Sequence, residues 1–182
     1  MPGNLMRGGV ILDLSLPAAE LPAESGRSGW TDTGYVPMLE SGPISLPEYE
    51  FDKMRPTLLV IDDEAEMLWF IGDIFHDDYN VITLQDASKL GQVMNDVYPN
   101  VIICDMTMPH VSGIEITRQI KSAKETAHIP VIIISGKYEM ENQMEALSAG
   151  AQLYVTKPFS AEFLKVSVAQ MMERKKVLKD YF

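Results

Sequence analysis

Five short apolar runs, at 58–61, 81–84, 101–104, 131–134 and 153–155, punctuate the chain from residue 58 onward, and a segment with apolar residues at helical spacing follows each one. A run that is apolar at consecutive rather than alternate positions suits a strand buried on both faces. Strands that alternate with helices pair in parallel, because a parallel connection needs a crossover long enough to hold a helix. The pattern therefore predicts an α/β fold, a doubly wound parallel sheet with helices on both faces. The strands are expected at 57–62, 81–84, 101–104, 131–135 and 151–156, and the helices at 64–75, 86–98, 113–122, 137–149 and 160–176. Pro99 and Gly150 end two of these helices, and Ser160 stands as the N-cap of the last. Expected apolar stripes run through Met67, Leu68, Ile71, Ile74 and Phe75, widened by Trp69 and Phe70, then through Met140, Met144 and Leu147, and through Phe163, Leu164, Val168 and Met171.

The residues that close the strands matter most for function, since ligands of open parallel sheets bind outside the carboxyl ends of the strands. The first run stops at Asp62, Asp63 and Glu64, the third at Asp105, the fourth at Ser135, and the fifth at Thr156, Lys157 and Pro158. Pro109 blocks regular structure after Asp105, and Ser112 and Gly113 open the next helix, so Asp105 is expected to face solvent beside a short loop. Singly, each residue has a plainer role: Asp62 and Asp63 as helix caps, Ser135 as a turn hydroxyl, Lys157 as a solvated lysine. Together they bring carboxylates, a hydroxyl and an ammonium to one place. Clustered carboxylates repel, and a hard divalent cation relieves the conflict.

In these residues the chain from about 56 to 170 resembles the receiver domain of two-component response regulators. The likeness rests on Asp62 and Asp63, on Asp105 with Pro109 and Gly113, on Ser135 and Tyr154, and on Lys157 with Pro158, in order along five strand-like runs. It implies a five-stranded sheet of order 2-1-3-4-5, the flavodoxin-like arrangement. It also implies that Asp105 accepts a phosphoryl group from a histidine kinase, with Lys157 and Ser135 assisting. Mg²⁺ would be held by Asp63 and Asp105, by Asp62 through water, and by the backbone carbonyl of Thr107. Ser135 and Tyr154 would form the switch, Tyr154 rotating inward as Ser135 follows the new phosphoryl group. A homodimer through the fourth helix, fifth strand and fifth helix is the corresponding assembly. Ser135 stands where the family more often has Thr.

Two rival readings use the same fold. A metal-dependent phosphatase with Asp105 as nucleophile would place a second acid two residues on, where this chain has Thr107. An interaction domain that is never phosphorylated would keep the fold without the chemistry.

The charge balance, 15 basic against 26 acidic residues for a net −11, argues against nucleic-acid contact by this segment, since phosphate backbones are held by Lys and Arg. No apolar run approaches the roughly 20 residues that span a bilayer, so no membrane contact is expected. The single cysteine, Cys104, fits a reducing compartment and a cytoplasmic location. His76, His110 and His128 lack ligand spacing.

Residues 1–55 hold seven of the twelve glycines and six of the eleven prolines and read as a linker-like extension. Within it, residues 8–17 resemble the last strand of a histidine-kinase ATP-binding domain, which implies a hybrid sensor kinase as the parent chain. The receiver-like domain is expected over 56–176, with 177–182 as a helical connector to a further domain. The segments at 159–165 and 178–182 are similar to those of receivers inside hybrid sensors, where a transcription module often follows.

Overall fold

The computed structural model describes the backbone of residues 11–13, 35–37 and 55–180, with side chains described for 55–173. Seven strands form one parallel sheet: β1 (Ile11–Asp13), β2 (Tyr35–Pro37), β3 (Thr57–Ile61), β4 (Asn80–Leu84), β5 (Val101–Asp105), β6 (Val131–Ser135) and β7 (Leu153–Thr156). Their spatial order is β2-β1-β4-β3-β5-β6-β7. The last five make up the predicted 2-1-3-4-5 sheet, and β1 and β2 extend it beyond β4. The helices are α1 (Ala65–Phe75), α2 (Leu90–Asp96), α3 (Gly113–Ser122), α4 (Met140–Ser148) and α5 (Ala161–Asp180).

Register and pleat divide the core in two. Leu58 lies opposite both Val81 and Val101, and Leu59 opposite Ile82 and Ile102. Because side chains alternate across a strand, Leu59, Ile61, Ile82, Ile102 and Ile133 face one way, where Leu90, Val93, Ile114, Ile116, Ile120 and Ala146 of α2, α3 and α4 cover them. Leu58, Val60, Val81, Ile103 and Ile132 face the other way, beneath Leu68, Ile71 and Phe75 of α1 and Leu164 and Val168 of α5. A one-residue slip would exchange the two sets. Each fully buried Leu or Ile contributes about 1.5–3 kcal/mol, so the register is strongly held.

Several expected boundaries move, each for a local reason. The second helix begins as a 3₁₀ turn, Ala87–Lys89, with the Asp86 side chain accepting from the Ser88 N–H at 3.0 Å, and α2 stops at Asp96 because Val97 is extended ahead of Tyr98 and Pro99. Helix α4 starts at Met140 rather than 137, since both backbone groups of Lys137 are taken by Ser135 and Tyr154. Helix α5 runs on through Asp180 and absorbs most of the expected connector. Of residues 8–17, Ile11–Asp13 is a strand that pairs with Val81–Thr83 of β4; the rest of that stretch lies outside the described residues.

Not every expected stripe residue is inward. Trp69 (51% exposed) and Phe70 on α1, Met140 (73%), Met144 and Leu147 on α4, and Phe163 on α5 are all exposed. Helix α4 contributes only the small Ala146 to the core, so it lies on the sheet through one narrow line.

Candidate functional site

In a parallel sheet all carboxyl ends lie on one side, so Asp62, Asp105, Ser135 and Lys157 arrive at the same rim. Asp105 ends β5, the middle one of the five receiver strands, and is 6% exposed, whereas the sequence suggested a solvent-facing acid. Two groups enclose it. The Thr107 N–H donates to its Oδ2 at 2.6 Å, and the Lys157 Nζ donates to its Oδ1 at 2.6 Å. Both bonds fix the carboxylate at the floor of the rim instead of at its edge.

The loop that carries Thr107 is closed on itself. Thr107 and Ser112 form an antiparallel bridge, the Gly113 N–H donates to the Met106 carbonyl at 2.9 Å, and the Val111 N–H to the Pro109 carbonyl. At its tip His110 has φ 69°, in the left-handed region. Ser112 then starts α3 with a capping box, accepting from the Glu115 N–H while the Glu115 carboxylate accepts from the Ser112 N–H.

Asp62 is 2% exposed and does two jobs. Its Oδ1 accepts from the Glu64 N–H at 2.8 Å, capping the entry to α1, and its Oδ2 lies 3.4 Å from Lys157 Nζ. Burial pushes its acid up to about 6; the Glu64 bond and Lys157 oppose this, and the charge of Asp105 adds to it. Lys157 itself is pulled down by burial, but its hydrogen bond to Asp105 and the charges of Asp62, Asp105 and Glu64 outweigh that and hold it above the usual lysine range. The Lys157–Pro158 peptide bond is cis, and the Tyr138 hydroxyl donates to the Lys157 carbonyl.

Asp63 is half-buried at the same rim, its backbone carbonyl accepting from Gln85 Nε2 at 2.8 Å. Among the described residues, no three acidic, His or Cys side chains converge as a finished metal cage. The donor set nonetheless fits a small divalent ion, because Mg²⁺ retains several waters and needs only one or two carboxylates from the protein. Asp62 and Asp105 already share one cation, the Lys157 ammonium, at 3.4 and 2.6 Å.

Ser135 and Tyr154 both point inward, beneath Asp105. The Ser135 hydroxyl donates to Met106 Sδ at 3.2 Å and accepts from the Lys137 N–H at 3.0 Å. Tyr154 is 8% exposed, with its hydroxyl 3.3 Å from the same sulfur and 2.9 Å from the Lys137 carbonyl. The Tyr154 ring thus lies inward in a core position, with two acceptors in reach of its hydroxyl. Three residues escaped the sequence reading: Met106, Gln85 and Tyr138. Gln85 was within reach, since it closes the second strand as Asp62 and Asp105 close theirs.

Residues 58–169 match the response regulator receiver domain family over more than half the chain. The chain belongs to that family. This receiver domain is 36% identical to the solved response regulator receiver domain protein of Clostridium thermocellum, with a TM-score of 0.62 over 68% of this chain and 98% of the other. It is 32% identical over 140 residues to the sensor histidine kinase TmoS of Ectopseudomonas mendocina, covering 77% of this chain but 14% of that protein. To the phosphate regulon transcriptional regulatory protein PhoB of Pseudomonas aeruginosa it is 32% identical over 119 residues, 65% of this chain and 52% of the relative. The chain thus spans from 14% to about half of the length of these longer relatives. As a receiver it is a module of two-component systems, a class that receives phosphoryl groups from histidine kinases and generally binds Mg²⁺ at the phosphorylation site.

Proposed function

We propose that Asp105 is the phosphoacceptor of this receiver and that Lys157 is its charge partner. The observation that carries this is the pair of distances from Lys157 Nζ, 2.6 Å to Asp105 and 3.4 Å to Asp62. In the transfer, a carboxylate oxygen of Asp105 forms a bond to phosphorus while the bond from phosphorus to the donor's imidazole nitrogen breaks. The Thr107 N–H holds the carboxylate in orientation. Lys157 can follow the phosphoryl oxygens as charge moves onto them, an electrostatic role that is worth more in a partly enclosed site than in water. Ser135 can turn its hydroxyl toward another phosphoryl oxygen.

Asp62, Asp63, Asp105 and the Thr107 carbonyl would hold the Mg²⁺ that receivers use. When bound, the ion supplies positive charge to the carboxylates and phosphoryl oxygens. The exposed Met140, Met144 and Leu147 on α4, with Tyr138 just before it, support a dimer contact on the face of α4, β7 and α5. A cytoplasmic module, joined in its parent chain to a kinase or a transcriptional output, is the context that the relatives support. No described helix is long and apolar enough to cross a membrane.

Incubation with acetyl phosphate and Mg²⁺, followed by intact-mass measurement, should add one labile phosphoryl group. The Asp105→Asn protein should add none; equal labelling of the two would refute the assignment.

A further inference from the structure

The two carboxylates deepest in the rim are each held by hydrogen bonds of their own, Asp62 by the Glu64 N–H and Lys157, Asp105 by the Thr107 N–H and Lys157. Asp63 differs. Among the described residues its carboxylate takes part in no hydrogen bond or ion pair, so only the backbone beneath it limits where it points.

That backbone is pinned at both ends of one peptide unit. The Asp63 carbonyl accepts from Gln85 Nε2 at 2.8 Å, and the N–H of the same unit, that of Glu64, donates to Asp62 Oδ1 at 2.8 Å. A peptide unit is planar, so holding its oxygen and its hydrogen fixes its tilt, and with it ψ of Asp63. One residue earlier the Asp62 N–H donates to the Leu84 carbonyl at 3.2 Å, which carries the pairing of β3 and β4 up to the residue before Gln85. The turn that presents Asp63 is thus tied to the end of β4 twice, once through backbone and once through a side chain. The type of side chain matters. A carbonyl needs a donor, and the half-buried Gln85 supplies one without charge. Glu would set an acceptor against that carbonyl, and Lys or Arg would bring to the rim a positive charge that opposes a divalent ion.

We propose that Gln85 is a positioning residue for divalent-ion binding, its amide holding the Asp63–Glu64 peptide so that the Asp63 carboxylate stands ready at the rim. The proposal rests on Asp63 being a metal ligand. Without the amide the Asp63 carbonyl turns to water, the peptide can tilt, and the carboxylate must be ordered when the ion arrives. Groups that orient a metal ligand are typically worth about 10–100-fold in affinity. The low end applies here, because the bond from the Glu64 N–H to Asp62 remains.

The test measures Mn²⁺ binding to the full chain from the electron paramagnetic resonance signal of the free aqua ion. Mn²⁺ takes the same carboxylate, carbonyl and water ligands as Mg²⁺. Gln85→Met keeps the length of the side chain and removes the donor, and should raise the dissociation constant roughly tenfold. Asp63→Asn should weaken binding at least as much. In the Asp63→Asn background, Gln85→Met should cost no more than about twofold further, since the carboxylate it positions is gone. Unchanged binding by Gln85→Met overturns the proposal. So does an equal loss in the two backgrounds, which is what a general loosening of the rim would give. If Asp63→Asn weakens binding and Gln85→Met does not, Asp63 remains a ligand and the role of Gln85 alone fails. If Asp63→Asn itself binds Mn²⁺ as wild type does, the assignment of Asp63 as a ligand falls, and the role of Gln85 with it.

Discussion

Replacing Gly113 with alanine tests how tightly the acceptor loop is closed against the end of β5. An ideal Cβ at this position would lie 2.2 Å from the Asp105 carbonyl oxygen and 3.1 Å from both the Asp105 carbonyl carbon and Met106 Cα. Comfortable carbon contacts lie at about 3.5–4.0 Å, so the first helical turn of α3 must retreat by roughly an ångström. All three obstacles are backbone atoms. They cannot swing aside, because the Met106 N–H is bonded to Ile134 and the Met106 carbonyl to the Gly113 N–H itself. Overpacking of this kind costs about 1–3 kcal/mol, and stretching the Gly113 to Met106 bond adds about 1 kcal/mol. With each kcal/mol worth about 2–4 °C in a chain of this size, Gly113→Ala should lower the melting temperature by about 4–16 °C. Gly91→Ala is the control, since nothing lies within 4 Å of its Cβ on the exposed side of α2, and it should be neutral or stabilising by up to about 1 kcal/mol. Thermal unfolding followed by circular dichroism gives both values. If Gly113→Ala melts within a degree of wild type, the close approach is not a constraint and the reasoning is wrong.

Three further outcomes follow from the same geometry. Because the acid of Asp62 lies at about 6 in the folded chain against 3.8 in the unfolded one, the folded state binds more protons between these values. Stability without divalent ions should therefore fall as pH rises through that window, by about 1–2 kcal/mol once solvent at the rim is allowed for. Urea unfolding at pH 4 and pH 7 in EDTA should show a drop that Asp62→Asn removes; identical profiles would refute it. Lys157→Met withdraws the cation shared by Asp62 and Asp105, and should destabilise the metal-free protein at pH 7 by about 1–2 kcal/mol while slowing acetyl-phosphate labelling. Unchanged stability together with unchanged labelling would remove Lys157 from the site. Ser112→Ala breaks the capping box of α3 and should cost about 1 kcal/mol in the same unfolding assay, a loss that Ser112→Thr largely avoids.

The sheet was legible because its cause is local: short runs of largely apolar residues, rich in Val and Ile, leave few ways to be buried other than between two layers of helices. The strand-end residues were legible for a related reason, since parallel topology alone sends Asp62, Asp105, Ser135 and Lys157 to one rim. Depth was not. Asp105 is enclosed by an N–H two residues away and an ammonium 52 residues away, and no pattern near Asp105 records that second contact. Helical periodicity likewise shows that Met140, Met144 and Leu147 share a face, and Trp69 and Phe70 another, but not which layer lies beneath them. On α4 the sheet is met instead by Ala146, whose small side chain lets the helix settle close. Met106 escaped because a methionine beside an apolar strand looks like core filling, and nothing in the sequence places the Ser135 and Tyr154 hydroxyls within 3.3 Å of its sulfur.

The two short strands ahead of the receiver sheet alter how this module should behave at high concentration. A strand at the rim of a sheet offers a row of unpaired N–H and C=O groups on which another chain can template itself. In the receiver sheet β4 would be such a rim, yet Ile11–Asp13 lies along Val81–Thr83, and Tyr35–Pro37 lies along β1 in turn. The outermost strand is three residues long and ends in proline, which has no N–H to offer a newcomer. The protein's own leading segment thereby blunts that rim against strand-by-strand growth. A chain trimmed to the residues that match the family would leave β4 bare, and should precipitate or form fibrils at concentrations where the full chain stays dispersed.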